Sequence, residues 1–86
     1  EKEPEDGYIM DSLAWVYYRQ GEYVKALHVI RKALEIVPDD PVILEHYGDI
    51  LQALGRLEEA RKAYEKALEK GHEKPAMIQE KIQRVR

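Results

Sequence analysis

Apolar residues recur at helical spacing through five segments of this chain, each closed by a turn signal. Ile9, Met10, Leu13, Val16 and Tyr17 make the first stripe, and Tyr23, Ala26, Ile30, Ala33 and Leu34 the second. Ile43, Leu44, Tyr47, Ile50 and Leu51 follow, then Leu57, Ala60, Tyr64, Ala67 and Leu68. A shorter stripe carries Met77, Ile78, Ile82 and Val85. Gly21, Gly55 and Gly71 read as stops, because glycine takes the left-handed conformation that ends a helix at little cost. Pro38-Asp39-Asp40-Pro41 is a different stop: Asp40 can cap the next helix and Pro41 can take its first position, where no backbone donor is needed. The pattern predicts helices over 7–20, 22–37, 41–54, 57–70 and 75–86. Links this short make consecutive helices antiparallel.

Displaced by about 34 residues, the chain overlays itself. Pro4 falls on Pro38, Gly21 on Gly55, Ala26 on Ala60 and Pro41 on Pro75, while Lys32, Ala33, Leu34 and Glu35 fall on Lys66, Ala67, Leu68 and Glu69. Units that repeat at this interval cannot bury an apolar face alone and must stack. Small residues recur where paired helices should cross most closely, Ala14 and Gly48 on one helix, Ala26 and Ala60 on the other.

These spacings resemble the tetratricopeptide repeat, whose unit runs Trp-x-x-Leu-Gly-x-x-Tyr, then Ala-x-x-x-Phe, Ala and Pro. Met10, Leu13, Ala14, Tyr17, Ala26, Ile30, Ala33 and Pro38 match it once. Leu44, Tyr47, Gly48, Leu51, Ala60, Tyr64 and Ala67 match it again, with His72 in place of the last Pro. The expected fold is therefore all-α, a right-handed helical-hairpin solenoid of two such repeats, at 7–40 and 41–74, with a C-terminal capping helix at 75–86. Residues 1–6 read as the tail of a preceding repeat or a disordered leader. In the last helix Lys81 stands in register with the apolar Tyr47 and Ile82 with the small Gly48. A further helix would find no close-approach site there, so the array is expected to end near Arg86, with its N-terminal side continuing a longer solenoid.

Composition narrows the chemistry. The 86 residues include no cysteine, which removes disulfides, thiolate metal sites and a cysteine nucleophile. A net charge of −3 with interspersed signs gives no basic footprint for nucleic acid. No apolar run approaches the roughly 18 residues of a membrane span. The chain reads as soluble, with the cytoplasm favoured over the periplasm. His28, His46 and His72 lack the spacing of a helical metal pair, Ser12 has no partner His on its helix, and no glycine-rich phosphate loop exists. No catalytic residue, metal or cofactor is expected.

The resemblance implies a concave groove lined by the first helix of each pair, where partner peptides lie. Carried over by register, its residues are Tyr8, Asp11, Ser12, Trp15, Tyr18 and Arg19, then Val42, Glu45, His46, Asp49 and Gln52, then Gln79, Glu80, Gln83 and Arg86. Independently of the family, Tyr8, Asp11, Ser12, Trp15 and Tyr18 share one helix face. Trp15 is either a binding hot spot or a residue packed under a preceding repeat. Some family members hold the carboxylate tail of chaperones through Lys and Asn; Asp11, Glu45 and Asp49 occupy the matching positions and would repel it. A peptide with basic side chains and an apolar anchor is expected instead. On the outer faces, Glu58 and Lys62 are spaced for an ion pair, and Leu27, Val29, Ile36 and Val37 are available to another chain. The expected function is a non-catalytic protein-interaction module, part of a larger scaffold; the alternative is a structural or self-associating portion of a longer helical array.

Overall fold

The structure, a computed structural model, describes residues 3–86; Glu1 and Lys2 of the expected leader lie outside the described residues. Five helices follow one another: α1 Pro4–Arg19, α2 Tyr23–Ile36, α3 Pro41–Ala53, α4 Leu57–Glu69 and α5 Pro75–Arg84. There is no strand among the described residues. The architecture is the all-α helical repeat that the periodicity predicts. No helix among the described residues is long and apolar enough to cross a membrane.

The local signals act where the sequence placed them. Asp40 accepts hydrogen bonds from the backbone N–H of Val42 at 2.9 Å and of Ile43 at 3.0 Å, and Pro41 opens α3 behind it. Gly71 has a φ of 86°, and Gly21 and Gly55 are both at 79°. At each, the residue after the glycine bonds back five positions, as Glu22 N does to Tyr17 O at 2.9 Å and Arg56 N to Leu51 O at 2.9 Å. α1 starts at Pro4 rather than near Gly7 as expected. Proline is pre-set for a first helical position, Asp6 turns back to the N–H of Glu3 at 3.3 Å, and Glu5 and Asp6 oppose the helix dipole.

α1 pairs with α2 and α3 with α4, while α2 packs on α3 and α4 on α5. The core they enclose holds Ala14, Ala26, Ile30, Ala33, Ile43, Ile50, Leu51, Ala60, Tyr64 and Ile78. Its tightest point is Gly48, where a Cβ would stand 2.5 Å from Cε1 of Tyr64. Gly48 therefore makes room for the Tyr64 ring; the expected neighbour was Ala60. Gly7 does the same for Val37, whose Cγ2 would lie 2.7 Å from an added Cβ.

Two expectations about faces are corrected. The stripe of α1 was read as core, yet Ile9 is 64% exposed and Val16 51%, with Leu13 also exposed. Their register equivalents Ile43 and Ile50 are 1% and 0% exposed. Among the described residues α3 has α2 against that face, and α1 has no helix there. Conversely, Leu27 is not available on the outside of α2: it is buried in the core, and Val29, Ile36 and Val37 are half-covered. The α1 helix lies against that side, with Val37 packed at Gly7.

Candidate functional site

An aromatic row crosses the face shared by α1 and α3. The Trp15 ring stacks on Tyr18, one turn further along α1, with centroids 4.6 Å apart and planes at 17°. It also stacks on His46 of α3, at 4.3 Å and 27°. Tyr23, at the start of α2, extends the row 5.6 Å beyond Tyr18. His46 is held in place from its other side, since its Nδ1 donates to Asp11 Oδ1 at 2.7 Å. Trp15 is half-buried by these neighbours, and His46, isolated in the sequence, is its ring partner.

Beside this row lies a buried polar cluster. Glu45 and Asp49 stand one turn apart on α3, each only 8% exposed. Lys81, from α5, places its Nζ 2.6 Å from Glu45 Oε2 and 3.1 Å from each Asp49 oxygen. The Tyr64 hydroxyl donates to Asp49 Oδ1 at 2.5 Å, which the missing Cβ of Gly48 makes possible by letting the ring lie against α3. His72 Nδ1 accepts from the backbone N–H of Lys74 at 2.9 Å, so its proton rests on Nε2, which donates to Glu45 Oε1 at 2.8 Å. Every buried side-chain polar atom among the described residues has a partner.

The titration behaviour follows from this wiring. Burial alone would raise the Glu45 pKa, but the hydrogen bonds from Lys81 and His72 outweigh it and hold the carboxyl below its ordinary value. Burial alone would lower Lys81, yet Glu45 and Asp49 hold its ammonium above the usual lysine range. Burial, then the Asp49 carboxylate, pushes the Tyr64 hydroxyl far above an ordinary tyrosine. Burial and Asp49 also raise Tyr18.

Between these two groups opens a cleft of about 580 Å³, lined by Trp15, Tyr18, Asp49, Gln52, Ala53, Lys81 and Arg84. Of the residues expected in a groove, it gathers Trp15, Tyr18, Asp49 and Gln52, with Asp11, Glu45 and His46 supporting them from behind. Tyr8, Ser12 and Arg19 are exposed on α1 outside it. Gln79 and Gln83 do not face it; they line a separate cleft of about 270 Å³ between α4 and α5. On α3 the register equivalents of Gln79 and Gln83 are Glu45 and Asp49, which meet Lys81 of α5.

Lys81 and Arg84 were absent from the expected groove. The signal for Lys81 was present: a lysine at an otherwise apolar register position, with two carboxylates one turn apart on a neighbouring helix. The acids expected to project freely are thus already engaged, Asp11 by His46, and Glu45 and Asp49 by Lys81. Among the described residues no three metal-ligating side chains converge, and Lys81 fills the space between the two acids.

Comparison with known proteins adds three observations. Residues 1–67 match the family model described as anaphase-promoting complex, cyclosome, subunit 3. A TPR repeat-containing protein of Pseudomonas aeruginosa is 41% identical over 46 residues, which make up 54% of this chain and 8% of that protein. The chain thus spans a small part of that relative. The solution NMR structure of a tetratricopeptide repeat domain protein from Salinibacter ruber superimposes with a TM-score of 0.79 at 21% identity, covering 98% of this chain and 90% of that one. The likeness to it is one of fold.

Proposed function

The chain belongs to the tetratricopeptide-repeat family described as anaphase-promoting complex, cyclosome, subunit 3, in general a family of non-catalytic protein-interaction modules, and on that footing we propose that it holds a peptide or helix of a partner protein in the Trp15 cleft. The family takes its description from a subunit of a complex, which supports a place in a larger scaffold. One observation carries the reading: half-exposed, stacked aromatic rings form one wall of a cleft that crosses α1, α3 and α5. Rings held at fixed angles offer contact area without ordering on binding, which is why aromatic residues dominate hot spots.

The proposed ligand inserts an apolar anchor against Trp15 and Tyr18. Its charge preference is weaker than three free acids would impose. Asp49 in the lining and Glu45 behind it are matched by Lys81 and Arg84, two carboxylates against two cations, so the cleft carries no net charge. The apolar anchor, rather than the sign of the flanking charge, therefore selects the ligand. Trp15→Ala should weaken binding by more than about 1 kcal/mol while helicity by circular dichroism is retained. A peptide-library selection on parent and variant checks this; equal enrichment on both would remove Trp15 from the site.

A second reading has its own observation. The bare stripe Ile9, Leu13 and Val16 corresponds to a face that α2 covers on α3. This favours docking of another helix on α1, from a longer array or from a second copy. If two copies meet there, sedimentation across a concentration series should show a dimer in the parent and a monomer in Ile9→Glu with Val16→Glu. A parent that stays monomeric throughout would eliminate self-association.

A further inference from the structure

On α4 the spacing predicts a pair between Glu58 and Lys62, but Glu58 turns to Arg61 at 3.9 Å. Arg61 also reaches Glu65 at 3.2 Å, and Glu59 is gripped by Arg56 at 2.7 and 3.2 Å. At the far end Lys70 meets both Glu69, at 3.7 Å, and Asp39, at 3.6 Å. Among the described residues, Lys62 and Lys66 are the two charged side chains of α4 with no ion-pair partner. They are exposed, one turn apart, on a chain whose net charge is −3.

Both edge a cleft of about 310 Å³ whose floor is apolar: Leu34 and Pro38 at the end of α2, Leu44 and Tyr47 on α3, and Ala63 on α4. No residue of this cleft lines the Trp15 cleft. Leu44 and Tyr47 sit beside Glu45 and Asp49 in sequence, but a helix sends neighbouring positions to different faces. The rim is polarised along α4. Glu59, its charge answered by Arg56, lies one turn before Lys62, and Lys66 follows one turn after.

We propose that this cleft is a second docking site, for an acidic peptide segment that seats one large apolar side chain on the Leu44–Tyr47 floor and lays carboxylates on Lys62 and Lys66. Charge complementarity decides the partner's sign: two unpaired ammonium groups at one rim meet carboxylates favourably and repel a basic segment. The apolar floor decides the anchor, because water leaves both surfaces when a leucine or aromatic side chain covers it. The site is independent of the Trp15 cleft, so one small domain could hold two segments at once.

The test is an NMR titration of the isotope-labelled protein with a short synthetic peptide carrying a central leucine flanked by aspartates, beside its lysine-flanked counterpart. The aspartate peptide should shift the amides of Tyr47, Ala63 and Lys66 and leave the Trp15 indole unmoved. Its affinity should fall about tenfold in Lys62→Gln with Lys66→Gln, fall with added salt, and survive Trp15→Ala. Both lysines are exposed, so circular dichroism should show the parent fold. Absence of shifts, equal shifts with the lysine peptide, an affinity indifferent to the two glutamines, or shifts confined to the Trp15 side would each overturn the assignment.

Discussion

Lys81→Met is expected to cost about 3 kcal/mol of stability at neutral pH and to invert the protein's response to acid. Removing one member of a buried ion pair strands the other, at about 3–5 kcal/mol. Lys81 keeps a little solvent contact, which places the loss at the lower end. In the parent, the Glu45 pKa lies below the unfolded value of 4.5 because its hydrogen bonds from Lys81 and His72 outweigh burial. Its contribution is complete above that value and disappears as pH falls through the folded pKa. Lys81, raised above 10.5, contributes fully below that value and is lost as pH rises through its folded pKa. Stability from this cluster is therefore level between about pH 5 and pH 10 and falls on both sides.

The methionine variant keeps Glu45 buried with the His72 hydrogen bond but not the ammonium to oppose burial, which is the largest influence on this carboxyl and raises its pKa. Its folded form then prefers the protonated acid, so acidification should stabilise it where the parent is weakened. Urea unfolding of both proteins at neutral and mildly acidic pH checks the sign. Parallel acid responses, or a variant as stable as the parent at neutral pH, would show that Lys81 does not neutralise the α3 acids.

Gly48→Ala should destabilise the domain although alanine is the better helix former. The helix gains about 1 kcal/mol from the exchange, but the new methyl group would stand 2.5 Å from Cε1, 2.7 Å from Cδ1 and 2.8 Å from Cζ of Tyr64. The ring is fully buried and its hydroxyl is tied to Asp49, so it cannot swing aside. Overpacking of this kind costs about 1–3 kcal/mol for small additions. Gly48→Leu should therefore lose the cooperative fold. The first repeat offers a control, because its register equivalents of Gly48 and Tyr64 are Ala14 and Ile30, both fully buried. Combining Gly48→Ala with Tyr64→Ile rebuilds that pairing. The double variant should be more stable than the sum of the two single losses implies, by about 1 kcal/mol or more. Additive losses in thermal unfolding would mean that glycine and ring are not packed as a pair.

Much of the fold was legible because its determinants are short-range. Asp40 and Pro41 start α3 through bonds within three residues, and Gly21 and Gly55 end helices through bonds that close over six. Repetition then supplied the architecture, since units of one pattern must pack in one way. The candidate site was legible only in part. Trp15 and Tyr18 could be placed on one face by spacing, and the structure keeps them together.

What periodicity states is which side of a helix is apolar or charged, and it is silent on what lies against that side. Ile9 and Val16 carry the same pattern as Ile43 and Ile50, yet one pair is exposed and the other buried, because among the described residues only α3 has a helix across from it. Glu45 and Asp49 read as free acids until α5 brings Lys81 between them from more than thirty residues away. Glu58 had two basic residues within a turn, and the side-chain geometry that chose Arg61 is what left Lys62 unpaired. Spacing along the chain thus determined the helices, their ends and their repeat. The tertiary structure alone decided which charges are neutralised and which apolar faces remain open, since both depend on neighbours remote in sequence.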